Sequence, residues 1–466
     1  MVYTEKRDIR TCFWIFFFLL MTEGIFRRWL FPSLNNIFLV ARDPFVLYSI
    51  YLGIRAGLLR DIPAIIMFVL AFLCFFSALF FGHGNIYVAL YGMRILLYYP
   101  FIYICARVLT RDDILKVGRV FVLLITPMTL LCMVQFVSPQ SSFVNIGVGG
   151  DETGAGFSGG ALGYYRPPGI FTFIAALTDY YGISLSFLLY FLTNNRDAKR
   201  LSISRTILFL SVIFYIISIP VSISRTHFVQ TIIICLGYLL FVNNDIKTIK
   251  RITFIIILVT LSIVLILYFV PDIDLYTKVF LTRFNGANTS EGGLLSSAYE
   301  RSFGWATRAI EKTSIMGYGD GYFTNVGMKI LRGDTGAWGG DLTKIADATE
   351  MEWGRVICED GLLLGMCILA VRFIISGYLF VKSKFCLTEY NDYLPWTLLP
   401  FAIYLQVFGQ LKAPYHLGFC SIITISCLTV LISDERKNKI RQLFKLILRK
   451  TKVTHNENIN LSHNRQ

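Results

Sequence analysis

The sequence predicts an all-α polytopic membrane protein of about 12 transmembrane helices, with one large outer (periplasmic) loop containing short helices. Of its 466 residues 55% are apolar and 16% charged, and the mean hydropathy is +0.60. A soluble domain is nearer half apolar and a quarter charged, so a soluble globule is excluded. Runs of about 20 apolar residues, enough to cross a bilayer, recur along the chain. The formal net charge of +14, from 44 Lys+Arg against 30 Asp+Glu, also sorts by loop.

Twelve apolar segments fall near 11–31, 36–54, 62–81, 86–106, 119–137, 169–192, 206–222, 226–242, 252–271, 356–381, 393–409 and 416–433. Lys6, Arg7 and Arg10 before the first run resemble the start of a signal peptide. No small-residue cleavage pattern follows, only Glu23 and Arg27–Arg28, so a retained first span is expected. An even count puts both termini on one side. With the N-terminus inside, the inner segments hold 27 Lys/Arg against 12 Asp/Glu, and everything else holds 17 against 18. The positive excess is then cytoplasmic, as the positive-inside rule requires, and nucleic acid is not needed to account for it. The seventh and eighth spans are divided only by a turn near Ser222–Arg225.

This gives an N-terminal membrane bundle over 1–271 with a glycine-rich outer loop at 138–168, then a large outer loop over 272–355. Three C-terminal spans over 356–433 and a basic cytoplasmic tail over 434–466 complete the chain. The tail carries nine Lys/Arg and an amphipathic piece, Ile440–Leu448, suited to anionic inner-leaflet lipid. Ten cysteines lie in or beside apolar runs, and none falls between 272 and 355, which excludes a disulfide-stapled ectodomain. No CxxC spacing occurs and the histidines are scattered, so neither a structural zinc site nor any metal or cofactor is expected.

The first outer loop has eight glycines between Gly147 and Gly163 and ends in Tyr164-Tyr165-Arg166-Pro167-Pro168. Loops beyond about 12–15 residues are usually functional or disordered, and the aromatic and charged content of the second outer loop argues for order. In the second, Ser297-Ala298-Tyr299-Glu300 has capping-box spacing. It opens a predicted helix with Tyr299, Phe303, Ala306 and Ile310 on one face and Arg301, Trp305, Arg308 and Lys312 on another, ending near Gly317-Tyr318-Gly319-Asp320-Gly321. No internal repeat of the kind that marks many transporters is evident.

Charges within spans cost about 2.5–3.5 kcal/mol at a helix centre, which singles out Glu23, Arg42, Asp43, Arg94, Asp179, Glu359, Asp360 and Arg372. Arg42 and Asp43 could neutralise one another or charges on other helices, and Arg372 could snorkel. Arg94 has no acid within reach on its own helix, so it needs a partner from another span or an anionic ligand. Arg166 and Arg225 at span ends, with Arg283, Arg301, Arg308 and Arg355 in the large loop, offer forked guanidinium groups suited to a pyrophosphate. Trp305 offers a sugar-stacking surface. Asp341, Asp347, Glu350, Glu352, Glu359 and Asp360 are the carboxylates able to serve as a base.

Tyr165-Arg166-Pro167-Pro168-Gly169-Ile170-Phe171, Ser222-Ile223-Ser224-Arg225, the Trp305 helix leading to Gly317-Tyr318-Gly319, and Glu359-Asp360-Gly361-Leu362-Leu363-Leu364-Gly365 stand around a large ninth-to-tenth-span loop. Over residues 90–370 that arrangement resembles the O-antigen ligase/polymerase-like superfamily. The resemblance implies a multi-pass glycosyltransferase in the bacterial inner membrane, using undecaprenyl-pyrophosphate-linked glycan at the outer face. It also implies a chain-length regulator and a flippase as partners. Arg166 and Arg225 would contact the pyrophosphate; Arg94, Arg301, Trp305, Arg308, Arg355 and Glu352 would complete the substrate site. Ligases of this kind carry a histidine about eleven residues before the glycine matching Gly361, where this chain has Glu350. Polymerisation of lipid-linked repeat units, with Glu350 as base, is therefore expected ahead of ligation to lipid A core. The rivals are a flippase for the same lipid-linked sugars and a catalytically inert scaffold.

Overall fold

The computed structural model describes the chain outside residues 1, 154–158, 240–256, 258, 263, 267–269, 271–272, 291–298, 333–350 and 434–466. Most of the ninth predicted span, Ser297, Asp341, Asp347, Glu350 and the basic tail lie outside the described residues. Helix α1 (Val2–Ile25) starts well before its apolar run and continues through a π-helical turn to Leu30. A short helix, Asn35–Val40, precedes α2 (Asp43–Arg55), so the second predicted span is broken at Ala41–Arg42. There follow α3 (Ile62–Phe80), α4 (Ile86–Val108), α5 (Arg111–Val137), α6 (Ile174–Thr193), α7 (Arg205–Val221) and α8 (Arg225–Leu239). After α9 (Ile273–Ser290), α10 (Trp305–Lys312) and α11 (Asn325–Arg332) come α12 (Glu352–Tyr390), α13 (Leu394–Phe408) and α14 (Pro414–Ser433). Among the described residues, eight helical stretches are long and apolar enough to cross a membrane, and α7 and α13 are shorter apolar helices. The protein is a helical membrane protein.

Helix α5 opens on a reciprocal capping box, Thr110 with Asp113, which satisfies two of the N–H groups a helix start leaves over. Arg10 Nη2 also reaches Asp113 at 2.5 Å, fastening α1 to that cap. The interior belongs to α6 and α14, whose apolar windows are 94% and 89% buried. Such enclosure is what helices without a polar face adopt. Small residues let neighbours close in: a Cβ at Gly182 would lie 2.4 Å from the Phe401 ring of α13.

Helix α12 is two arms joined by a reversal. Gly361 has φ 76° and ψ 174°. Arg372 Nη1 meets Glu352 Oε1 at 2.7 Å, Trp353 lies against Phe373, and a Cβ at Gly365 would touch the Val356 carbonyl. Residues nine before the break and eleven after it are therefore side by side, and 352–360 runs back along 362–372. The reversal strips the Cys358 and Glu359 carbonyls of helical partners. They accept instead from the Tyr318 and Gly319 N–H groups, each at 2.8 Å.

The glycine turn that makes this cap needs its glycines, since Gly317, Gly319 and Gly321 have φ of 72°, 100° and 86°, where a Cβ is strained. The helix expected to run to this turn stops at Lys312. Its expected apolar face is also revised: Tyr299, Phe303 and Ile310 are exposed, and α10 buries Ala306 and Ala309. Short side chains are what allow it to lie against α12.

Candidate functional site

The loop after α5 is anchored from α1. Arg28, buried, donates to the Val144, Ile146, Gly169 and Phe171 carbonyls at 2.8–3.1 Å. Five donors on one planar group allow this multiple capture. Strand β1 (Gly159–Ala161) pairs antiparallel with β2 (Tyr164–Tyr165), and β2 delivers Arg166. Arg283 of α9 donates to the Gly159 and Gly160 carbonyls at 2.8 and 3.0 Å. A Cβ at Gly160 would stand 3.3 Å from Ile223, in the turn that starts α8 with Arg225. Ile223 is buried at φ +48°, an outlier for a β-branched residue costing about 1–3 kcal/mol and typical of functional turns.

One small hairpin thus gathers Arg166, Arg225 and Arg283 from three separate parts of the chain. Burial, with the nearby charges of Arg283 and Arg225, lowers the Arg166 pKa to about 10. Beside it, a cavity of about 260 Å³ is bounded by Gln135–Gln140, Asn145 and Gly163–Pro167.

A second polar centre joins the glycine turn to the rest of the bundle. In the link between α13 and α14, Lys412 Nζ lies 2.6 Å from Asp320, 2.9 Å from Glu359 and 3.1 Å from Asp360. Glu359 also accepts from the Gly321 and Phe323 N–H groups and from Arg355 Nε at 3.2 Å. Burial of Asp320 raises its pKa against the pull of Lys412. Burial would lower that of Lys412, but Asp320, Asp360 and Glu359 carry it well above the ordinary lysine value. Two cations face three acids, so the cluster is suited to retaining a proton.

The third centre is Asp179 of α6, wholly buried, paired with His416 Nδ1 of α14 and with Gln230 of α8 at 3.4 Å.

The other residues singled out from sequence are placed as follows. Arg94 meets Asp43 at 2.5 Å, where Tyr98 also donates at 2.9 Å, and Arg42 meets Glu23 at 3.0 Å. Arg42 and Asp43 therefore take separate partners. Arg372 does not snorkel: it is buried, bonded to Glu352 and to the Gln406 and Gly409 carbonyls that end α13. Glu352, expected at the substrate, is committed to that internal pair, a role that fits structure better than ligand contact. Arg308 pairs with Glu300 at the surface, Trp305 is half-buried on α10, and Arg355 lies against Glu359 and the Phe323 carbonyl. The side chain of Arg301 and the whole of Glu350 lie outside the described residues.

Because Arg94 and Asp43 are almost enclosed, removing one should cost more than removing both. Arg94→Ala is expected to destabilise the protein by about 3–5 kcal/mol, and Arg94→Ala with Asp43→Ala by clearly less. Thermal unfolding of the variants in detergent checks this. Unchanged stability in Arg94→Ala would return that arginine to the ligand-binding set.

Sequence reading passed over Lys412, Asp320 and His416. The available signal was a lysine and a histidine four residues apart in the short link and first turn between two apolar runs. Comparison with family models, with curated proteins and with solved structures finds no match to this chain.

Proposed function

We propose that the protein polymerises undecaprenyl-pyrophosphate-linked oligosaccharide repeat units at the outer face of a bacterial inner membrane, releasing undecaprenyl pyrophosphate. The convergence of Arg166, Arg225 and Arg283 beside a cavity supports this reading most. Forked, permanently charged groups suit the two phosphates of such a donor. The non-reducing sugar hydroxyl of the acceptor attacks C1 of the donor glycan and displaces the lipid pyrophosphate with inversion. The arginines stabilise charge growing on the leaving group, usually the largest electrostatic contribution in such chemistry. A flippase is less well supported, because Arg94, Arg42 and Arg372 are held in internal ion pairs.

The test is reconstitution of the full chain in lipid nanodiscs with undecaprenyl-pyrophosphate-linked oligosaccharide extracted from a strain lacking this protein. A ladder of longer lipid-linked glycans is expected, without added nucleotide sugar. No ladder overturns the reading.

A further inference from the structure

Resting on that reading, we propose that His416, oriented by Asp179, takes the proton from the acceptor hydroxyl. Asp179 holds the Nδ1 side of the imidazole, and Gln230 holds the carboxylate's other oxygen at 3.4 Å. A carboxylate on Nδ1 fixes the tautomer that leaves the Nε2 lone pair to accept a proton, and it stabilises the imidazolium that results. Nε2 makes no hydrogen bond among the described residues. His416 is 8% exposed while Asp179 is 0% exposed, so the ring borders accessible space and its partner does not.

The other described histidines lack this combination. Both ring nitrogens of His83 are engaged, by the Asp320 carbonyl and the Asn85 N–H. His227 is fully buried between Tyr181 and Tyr215 and bonded to Ser218. The buried carboxylates Asp320, Glu359 and Asp360 are tied up in one ion cluster with Lys412 and Arg355. Position also favours His416. Gln230, which bonds Asp179, follows Arg225 by five residues on α8, an axial rise of about 7.5 Å.

The step balances. The acceptor O–H proton passes to Nε2 as the new O–C1 bond forms. The C1–O bond to phosphate breaks with its electron pair going to undecaprenyl pyrophosphate, and the proton later leaves the imidazolium to water. Asp179 acts as a positioning residue.

The experiment measures chain elongation in nanodiscs against pH for wild type, His416→Gln, Asp179→Asn and Glu350→Gln. His416→Gln keeps an amide donor toward Asp179. It is expected to lose roughly 10²–10⁴-fold in rate and the acid limb of kcat/KM, with donor binding unchanged. Asp179→Asn should shift the limb, Glu350→Gln should keep it, and imidazole should partly restore His416→Gly. A ladder with the acid limb intact in His416→Gln, or abolished in Glu350→Gln, overturns the assignment and leaves the polymerase reading standing. No ladder from wild type overturns both. If His416 variants do not fold, the Glu350→Gln profile decides alone.

Discussion

Alanine at both Arg166 and Arg225 is expected to abolish chain growth, slowing elongation by at least about 10³-fold while the protein still folds. Removing one preorganised donor to a developing charge costs about 10²–10³-fold in rate. On the proposed function the two arginines share one leaving group with Arg283, so their losses will not simply multiply. Both are only half-buried, so truncating them leaves no enclosed charge behind. Thermal unfolding should therefore be nearly unchanged. Lysine at the two positions should restore part of the rate, since a point charge neutralises phosphate without the bidentate fork. The ladder assay measures all three proteins, and an undiminished ladder from the double alanine variant sinks the mechanism.

Lys412→Met should give the largest loss of stability. Asp320, Glu359 and Asp360 are at most 2% exposed, and without Lys412 the cation left beside them among the described residues is Arg355. Removing one partner of a buried ion pair costs about 3–5 kcal/mol, and here one cation serves three acids. The glycine turn should detach from α12, making 313–324 sensitive to protease before the bundle melts. Asp360→Asn added to Lys412→Met should recover part of the loss, because Asp360 receives neither the backbone nor the Arg355 bonds that hold Glu359. Wild-type unfolding temperature and protease resistance in Lys412→Met would refute this account.

The helices were legible because a bilayer-length apolar run leaves few other structures, and the turn dividing α7 from α8 was read at Ser222–Arg225. Pairings across the bundle were not. Asp43 lies 51 residues before Arg94, and nothing on either helix marks the match. Lys412 reads as an ordinary interfacial lysine until Asp320 is brought to it by a turn from a distant loop. The reversal at Gly361 was hidden because glycine is common within membrane helices and the flanking residues continue the helical pattern. Arg166 and Arg225 were visible as isolated charges at span ends. Their association with Arg283 depends on a hairpin of five strand residues too short to announce itself.

As one straight rod, the 39 residues of α12 would extend about 58 Å, nearly twice a hydrocarbon core of about 30 Å. The reversal lays the first arm beside the start of the second, so 352–360 adds nothing to the length along the span axis. These nine residues hold Glu352, Arg355, Glu359 and Asp360, so the long apolar run begins only after Gly361. The point where the chain commits to crossing is Gly361, not Glu352.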